Sequence, residues 1–419
     1  MKKSKKAIVV GGGTGGHIIP AVVVAKALKN KGYSVVWIGS KKSYELEEKL
    51  IRFSFPDIKI YHIPSGKLRR SGSTLRTLID LRNIADIFAF ISGIFVSFFI
   101  LLKEKPLFVF SKGGFVSVPV AISCKMTKVP FFTHESDYTV GLANKINLKF
   151  SKKFFYSFED TLKYLPENKA IFSSNPVREE FFSNNKDEGL KRSDKITNSL
   201  PLFDEKVKDF FLDSDLNSKL ILILGGSLGS QRINNIIFKL APILTQKYLI
   251  IHQTGKLNDL NLNFNSGKEE KMNQSNSNKY FKFNPFGLKG YLQIEFIYNG
   301  IAELMKLSDL IISRAGANLV FEIVASKTPA IFIPLKTASR GEQENNARYF
   351  AKKGNYIVLD EEKLDDKILF NEIEKIFDSQ ILIKGSQLDS QVATININSL
   401  IKAEDIIISS IEKELKINS

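Results

Sequence analysis

Cysteine, tryptophan, methionine and histidine are all scarce: one, one, four and four respectively in 419 residues. Each scarcity excludes something. With Cys124 alone no intramolecular disulfide can form, and no second thiol or histidine cluster stands at metal-ligand spacing. A reducing compartment and no metal are therefore expected. The opening MKKSKKAIVVGGG is basic, but its apolar run is only the four residues AIVV, too short for the apolar core of a signal peptide, so a cytoplasmic location is expected. Aromatic RNA-binding signatures, zinc-finger spacing and repeats of solenoid length are also lacking. Nucleic acid is thus not an expected partner, despite a formal charge of +16. That charge asks for acidic partners of another kind, anionic lipid or phosphorylated small molecules.

What the chain does have is alternation. Apolar strand-like runs recur before glycine loops at residues 7–10, 34–39, 108–110, 220–224 and 310–313, with helix-spaced segments between them. This pattern builds an α/β fold whose parallel sheets are covered by helices on both faces. It begins near Ala7 and again near Leu220, which predicts two doubly wound domains at 1–180 and 220–400, with 401–419 as a C-terminal helix that packs back on the first. The polar stretch 181–219 reads as a linker with an insertion, and 256–279 as a loop expansion. Asp213 and Asp215 form a D-x-D, as in metal-dependent sugar transferases, but within the linker, where chance explains it.

The stretch AIVVGGGTGGHIIP carries Gly11, Gly13 and Gly16 in G-x-G-x-x-G spacing, with Pro20 early in the helix that follows. Amides and a helix dipole converging there suit an anion. A dinucleotide would also need an acidic residue after the second strand. The chain offers Gly39-Ser40-Lys41-Lys42 instead, which disfavours NAD and leaves NADP open. Similar glycine loops at Ser111 and Gly225 suggest a ligand gripped across a cleft between the two domains.

Six blocks, GGGTGGHIIP, SKGGFVSVP, HESDYTVGLANK, SNPVR, GGSLGSQRIN and the run from Ser308 to Phe350, occur in order over nearly the whole chain. Together they resemble the MurG family of N-acetylglucosaminyltransferases of peptidoglycan synthesis. The resemblance implies a GT-B fold of two Rossmann-like domains facing across a cleft. It also implies inverting transfer of N-acetylglucosamine from UDP-GlcNAc to the 4-hydroxyl of the muramyl sugar of lipid I, giving lipid II, with no cofactor. A transferase acting on another lipid acceptor, or an NADP-dependent oxidoreductase, is the alternative.

The same resemblance assigns residues. Thr14, Gly15, Gly16 and His17 face the reaction centre and the acceptor diphosphate, and either His17 or Glu135 is the general base. In the second domain Ala317 opens a helix from 317 to 326 near the diphosphate, and Glu322 on that helix accepts from the ribose hydroxyls, as a carboxylate can from a diol. Gln343 contacts the sugar, Ser227 lies near the diphosphate, Arg178 steadies the UDP leaving group, and Ile297 meets the uracil through its backbone. Asp137 stands where many members have asparagine, so its sugar contact must be that of an acceptor. His62 and His252, outside every block, read as packing or surface residues.

The 16-residue apolar run IFAFISGIFVSFFILL, from Ile87 to Leu102, is short of the roughly 20 residues a bilayer span needs. Arg69, Arg70, Arg76 and Arg82 precede it, and Lys103 and Lys105 follow. Ile87, Phe88, Phe95, Phe98 and Phe99 are expected to rest on the anionic cytoplasmic face of the bacterial plasma membrane. A core helix is the alternative.

Overall fold

The computed structural model describes residues 5–66, 81–182, 189–226, 229–255, 287–336, 341–378 and 402–417. Ser227, the stretch 256–279, Arg69, Arg70, Arg76 and the side chain of Arg82 lie outside the described residues. The chain divides into two compact units, Met1–Arg178 with Ile397–Ser419, and Glu179–Asn396.

In chain order, unit 1 runs β1 (Lys6–Val10), α1 (Gly15–Asn30), β2 (Ser34–Ser40), α2 (Tyr44–Ser54), β3 (Lys59–Ile63), α3 (Leu81–Glu104), β4 (Phe108–Ser111), α4 (Ser117–Thr127), β5 (Phe131–Glu135), α5 (Leu142–Phe150), β6 (Lys153–Tyr156) and β7 (Ala170–Phe172). Its parallel sheet has the order β3-β2-β1-β4-β5-β6-β7. Alternate residues of a strand point to opposite faces, and both faces of this sheet are dry. Ala7 and Val9 join a cluster with α1, Trp37 and Phe110, while Ile8 and Val10 join one with Val120 of α4 and with Ile100 and Leu101 of α3. Pro20 is the sixth residue of α1, inside the helix rather than in its first turn.

Unit 2 runs α6 (Arg192–Ser199), α7 (Glu205–Leu212), β8 (Lys219–Leu224), α8 (Gln231–Leu244), β9 (Tyr248–Gln253), β10 (Tyr291–Ile294), α9 (Ile301–Leu307), β11 (Leu310–Ser313), α10 (Ala317–Ser326), β12 (Ala330–Phe332), α11 (Glu342–Ala351), β13 (Tyr356–Val358) and α12 (Asp366–Asp378). Its sheet is again parallel, in the order β10-β9-β8-β11-β12-β13. His252 is buried in packing, between Tyr291 Oη at 2.9 Å and Asn234 Oδ1 at 3.0 Å.

The segment 181–219, expected to be a linker, instead contributes α6 and α7 to unit 2. Its charges hide a buried set, Ile196 of α6, Phe203 between the helices, and Val207 and Phe211 of α7. The rings of Phe203 and Phe211 meet tilted with centroids 5.6 Å apart, and Asp204 accepts from the amide of Tyr298 at 2.8 Å. Asp215 of the D-x-D caps a turn, accepting from Asn217 N at 3.1 Å and Ser218 Oγ at 3.0 Å.

A last helix, α13 (Ala403–Leu415), belongs to unit 1. Ile407, Ile408 and Ile411 enter the cluster over β1 and α1, and Tyr33 Oη donates to Glu412 Oε1 at 2.9 Å.

Candidate active site

In unit 1 the strand order reverses between β1 and β4, so the crevice of a doubly wound sheet opens at their carboxyl ends. The loops after β1, β4 and β5 meet there. The first turns through Gly13 at φ 96°, a conformation that favours glycine. No side chain caps α1, so its first-turn amides face this loop. Thr14 and Gly16 are exposed and Gly15 is buried.

Below the loop lies Glu47, fully buried, whose carboxylate accepts from Ser40 N at 3.1 Å, from Gly13 N at 3.3 Å and from Ser43 Oγ. A Cβ on Gly39 would lie 1.6 Å from Glu47 Oε2. The position where a dinucleotide-binding domain presents its ribose carboxylate is therefore filled, and Lys42, offered for a 2′-phosphate, pairs with Asp86 at 2.5 Å. The Glu47 carboxylate is thus committed to the protein's own donors, which disfavours a dinucleotide ribose here.

His17 is half-buried, with Nδ1 3.2 Å from Thr14 Oγ1. Its ring lies against the second loop, where a Cβ on Gly114 would sit 3.4 Å from Cδ2. Enclosure of the ring, helped by the ammonium of Lys112, lowers its pKa to about 4, so the imidazole is neutral at physiological pH.

Glu135 ends β5 and is 5% exposed. Oε1 accepts from Asp137 N at 3.1 Å, and Oε2 from Gly141 N at 2.9 Å and Asn144 Nδ2 at 3.0 Å. Burial and the neighbouring Asp137 raise its pKa above the usual carboxylate range. Both oxygens thus hold the 136–141 loop in shape, while Asp137 stands half-buried on that loop. Arg178, also half-buried, is the last residue of unit 1's first segment, just after Ser174-Asn175-Pro176-Val177.

Unit 2 repeats the plan with β8 and β11 at the reversal. Gly229 passes so close to the neighbouring strand end that a Cβ would meet Thr254 O at 2.0 Å. Arg314, 8% exposed, ties the strand ends together, donating to Ile333 O at 3.0 Å and Ser230 Oγ at 2.6 Å and pairing with Glu361. After Gly316, α10 begins at the buried Ala317 with no side-chain cap, leaving its amide end and dipole for an anion. Glu322, on the same helix, is 6% exposed and so is no solvated surface carboxylate. Gln343, the second residue of α11, accepts from Leu335 N at 3.0 Å through Oε1, which turns its NH2 group into the donor. Ile297 is buried and its N–H goes to Gln253 Oε1 at 3.0 Å, so its carbonyl is the backbone group left for a base.

Unit 1 thus gathers Thr14, Gly15, Gly16, His17, Glu135 and Asp137 at the carboxyl ends of its strands, and Ala317 and Glu322 share one helix of unit 2. The motif reading passed over Lys112, Glu47, Asn144 and Asn175. For Lys112 a signal existed, a lone charge between two apolar segments, FVF and FVSV, at a strand end.

Comparison with known proteins adds independent findings. The glycosyltransferase family 28 N-terminal domain matches residues 7–156 and the glycosyltransferase family 28 C-terminal domain residues 220–381. The UDP-N-acetylglucosamine–N-acetylmuramyl-(pentapeptide) pyrophosphoryl-undecaprenol N-acetylglucosamine transferase of Staphylococcus aureus (strain MRSA252) is 39% identical over 87% of this chain and 89% of its own length. The protein of the same name from Clostridium novyi (strain NT) is 36% identical over 98% of this chain and 99% of its own. Among solved structures, MurG of Acinetobacter baumannii superposes with a TM-score of 0.62 at 23% identity, covering 98% of this chain and 99% of its own. A UDP-GlcNAc 2-epimerase from Neisseria meningitidis bound to UDP-GlcNAc gives 0.59 at 15% identity, covering 97% and 100%. These structures share the fold, which is of GT-B type.

Proposed function

Since this chain belongs to glycosyltransferase family 28, we propose that it transfers N-acetylglucosamine from UDP-GlcNAc to the 4-hydroxyl of the muramyl sugar of undecaprenyl-diphosphate-linked lipid I, with inversion, forming lipid II. The observation that carries this is identity of 36 to 39% with transferases of that name over most of both chains. The fold alone would not decide, because an epimerase of UDP-GlcNAc shares it.

The residues have the chemistry for each part. The neutral imidazole of His17 takes the proton as the acceptor oxygen bonds to the anomeric carbon, and the bond from that carbon to the UDP oxygen breaks on the opposite face. For Nε2 to be the accepting atom, Nδ1–H donates to Thr14 Oγ1. Glu135 is assigned the shaping of its loop rather than the proton, because both its oxygens already serve N–H donors. The uncapped end of α10 and the guanidinium of Arg178 stabilise the departing diphosphate, while Glu322 and Gln343 hold ribose and sugar. Asp137 accepts from a sugar hydroxyl.

The lipid acceptor calls for a membrane-facing surface at the cytoplasmic leaflet, and α3 suits it. Ala85–Glu104 is apolar and long enough to cross a bilayer by length and composition, with mean hydropathy 2.3, yet Gly93, Ser97, Ile100 and Leu101 are buried in unit 1. Phe88, Phe95 and Phe99, exposed by 70%, 56% and 65%, form the outward stripe with Ile87, Phe98 standing partly covered at its edge. On this reading the helix rests on the membrane surface, with its buried side held by unit 1. The deciding assay is transfer from labelled UDP-GlcNAc to a short-chain lipid I analogue; no labelled disaccharide product, with NADPH bound tightly instead, would overturn the reading.

A further inference from the structure

Lys112 is a buried amine in the loop after β4, 2% exposed. Its backbone N–H donates to Val10 O at 3.1 Å, fixing the end of β4 to the end of β1. Its Nζ donates to His134 Nδ1 at 2.6 Å and to Asn175 Oδ1 at 3.0 Å. His134, fully buried, passes the connection on, its Nε2–H donating to Ser174 O at 2.9 Å. Ser174 holds φ at 64°, a left-handed conformation a serine adopts at a cost and keeps only where neighbours enforce it. Ser136 Oγ reaches the same Asn175 Oδ1 at 3.0 Å.

Lys112 thus joins three of the sequence blocks, its own loop, the β5 loop through His134, and Ser174-Asn175-Pro176-Val177-Arg178, to the end of β1 at Val10, just before the first loop. Stability is a poor reason for it. Burying an ammonium against neutral acceptors is costly, and an apolar side chain of similar length would fill the space. Desolvation pulls its pKa well below that of a free lysine, with Glu135 and Asp137 opposing. Such burdens concentrate where geometry serves a reaction.

We infer that Lys112 is a positioning residue for the transfer: through Asn175 and His134 it fixes the strained turn that delivers Arg178, in register with the loop carrying His17. This rests on the proposed function, in which Arg178 steadies the leaving group. The test is a double-mutant cycle on the full chain, with Lys112→Met, which keeps length and removes the donor, and Arg178→Ala. Lys112→Met should lower kcat about tenfold or more with the KM for UDP-GlcNAc within about twofold, the signature of misplacement rather than lost binding. In the Arg178→Ala background the same change should cost less than about twofold, since the group it places is gone. Asn175→Ala cuts the same link from its other end and should show the same dependence, which keeps the test open if the methionine variant fails to fold. Equal losses in both backgrounds overturn the inference alone. Absence of transfer by the parent protein overturns it together with the proposed function.

Discussion

His17 decides more than any other single side chain. With a pKa held near 4, it is unprotonated through the neutral range and loses competence only as the pH falls toward that value. The acid limb of kcat/KM should therefore lie near pH 4, and His17→Ala should lower kcat by about 10² to 10⁴ and abolish that limb. A limb displaced upward toward neutrality, surviving in His17→Ala, would return the proton to Glu135, whose pKa moves the other way. Glu322 is proposed to serve binding instead. Glu322→Ala should raise the KM for UDP-GlcNAc by roughly tenfold or more, as expected for losing a charged hydrogen-bond acceptor, and leave kcat nearly unchanged; an unchanged KM would remove it from the donor site. These residues could be singled out from the sequence because each falls in a block whose chemistry can be named. Glu47 could not be, since it belongs to none of the blocks and reaches the first loop only through folding, where it braces Gly13 from beneath.

Among elements, α3 carries the most consequence. Its inner side fits closely: a Cβ on Gly93 would lie 2.3 Å from Pro64 O. Its carboxyl end is clamped by Glu104, which accepts from Lys59 Nζ and Tyr61 Oη at 2.6 Å and from Lys6 Nζ at 2.9 Å. The outer phenylalanines have no such reason to be there. Replacing Phe88, Phe95 and Phe99 by serine should leave the melting temperature within a few degrees and reduce flotation with anionic liposomes, and wild-type flotation should weaken at high salt. Undiminished flotation of the triple variant would show that another surface binds. The sequence revealed this helix by composition but could not say which side faced inward, because nearly every position is apolar. The opposite difficulty hid α6 and α7, whose few buried residues are outnumbered by charges.

At the scale of the whole molecule, the five apolar runs marked strands correctly because parallel strands are buried on both faces and cannot hide behind polar residues. Strand order was less accessible, since it depends on pairings between distant segments. The helix α13 illustrates such a pairing. Its three fully buried isoleucines are worth about 1.5 to 3 kcal/mol each, comparable together with the roughly 5 to 15 kcal/mol that holds a domain folded. Ending the chain after Lys402 should leave unit 2 protected in hydrogen exchange while β1 and β2 lose protection; intact protection of β1 would refute this. The same helix sets a timetable for synthesis. Domains usually fold as they leave the ribosome, the earlier one first. Here the earlier unit must wait, its apolar face on α1 uncovered, until all of unit 2 has been translated and α13 emerges, so the half that is made first is finished last and chaperones have their longest access to it.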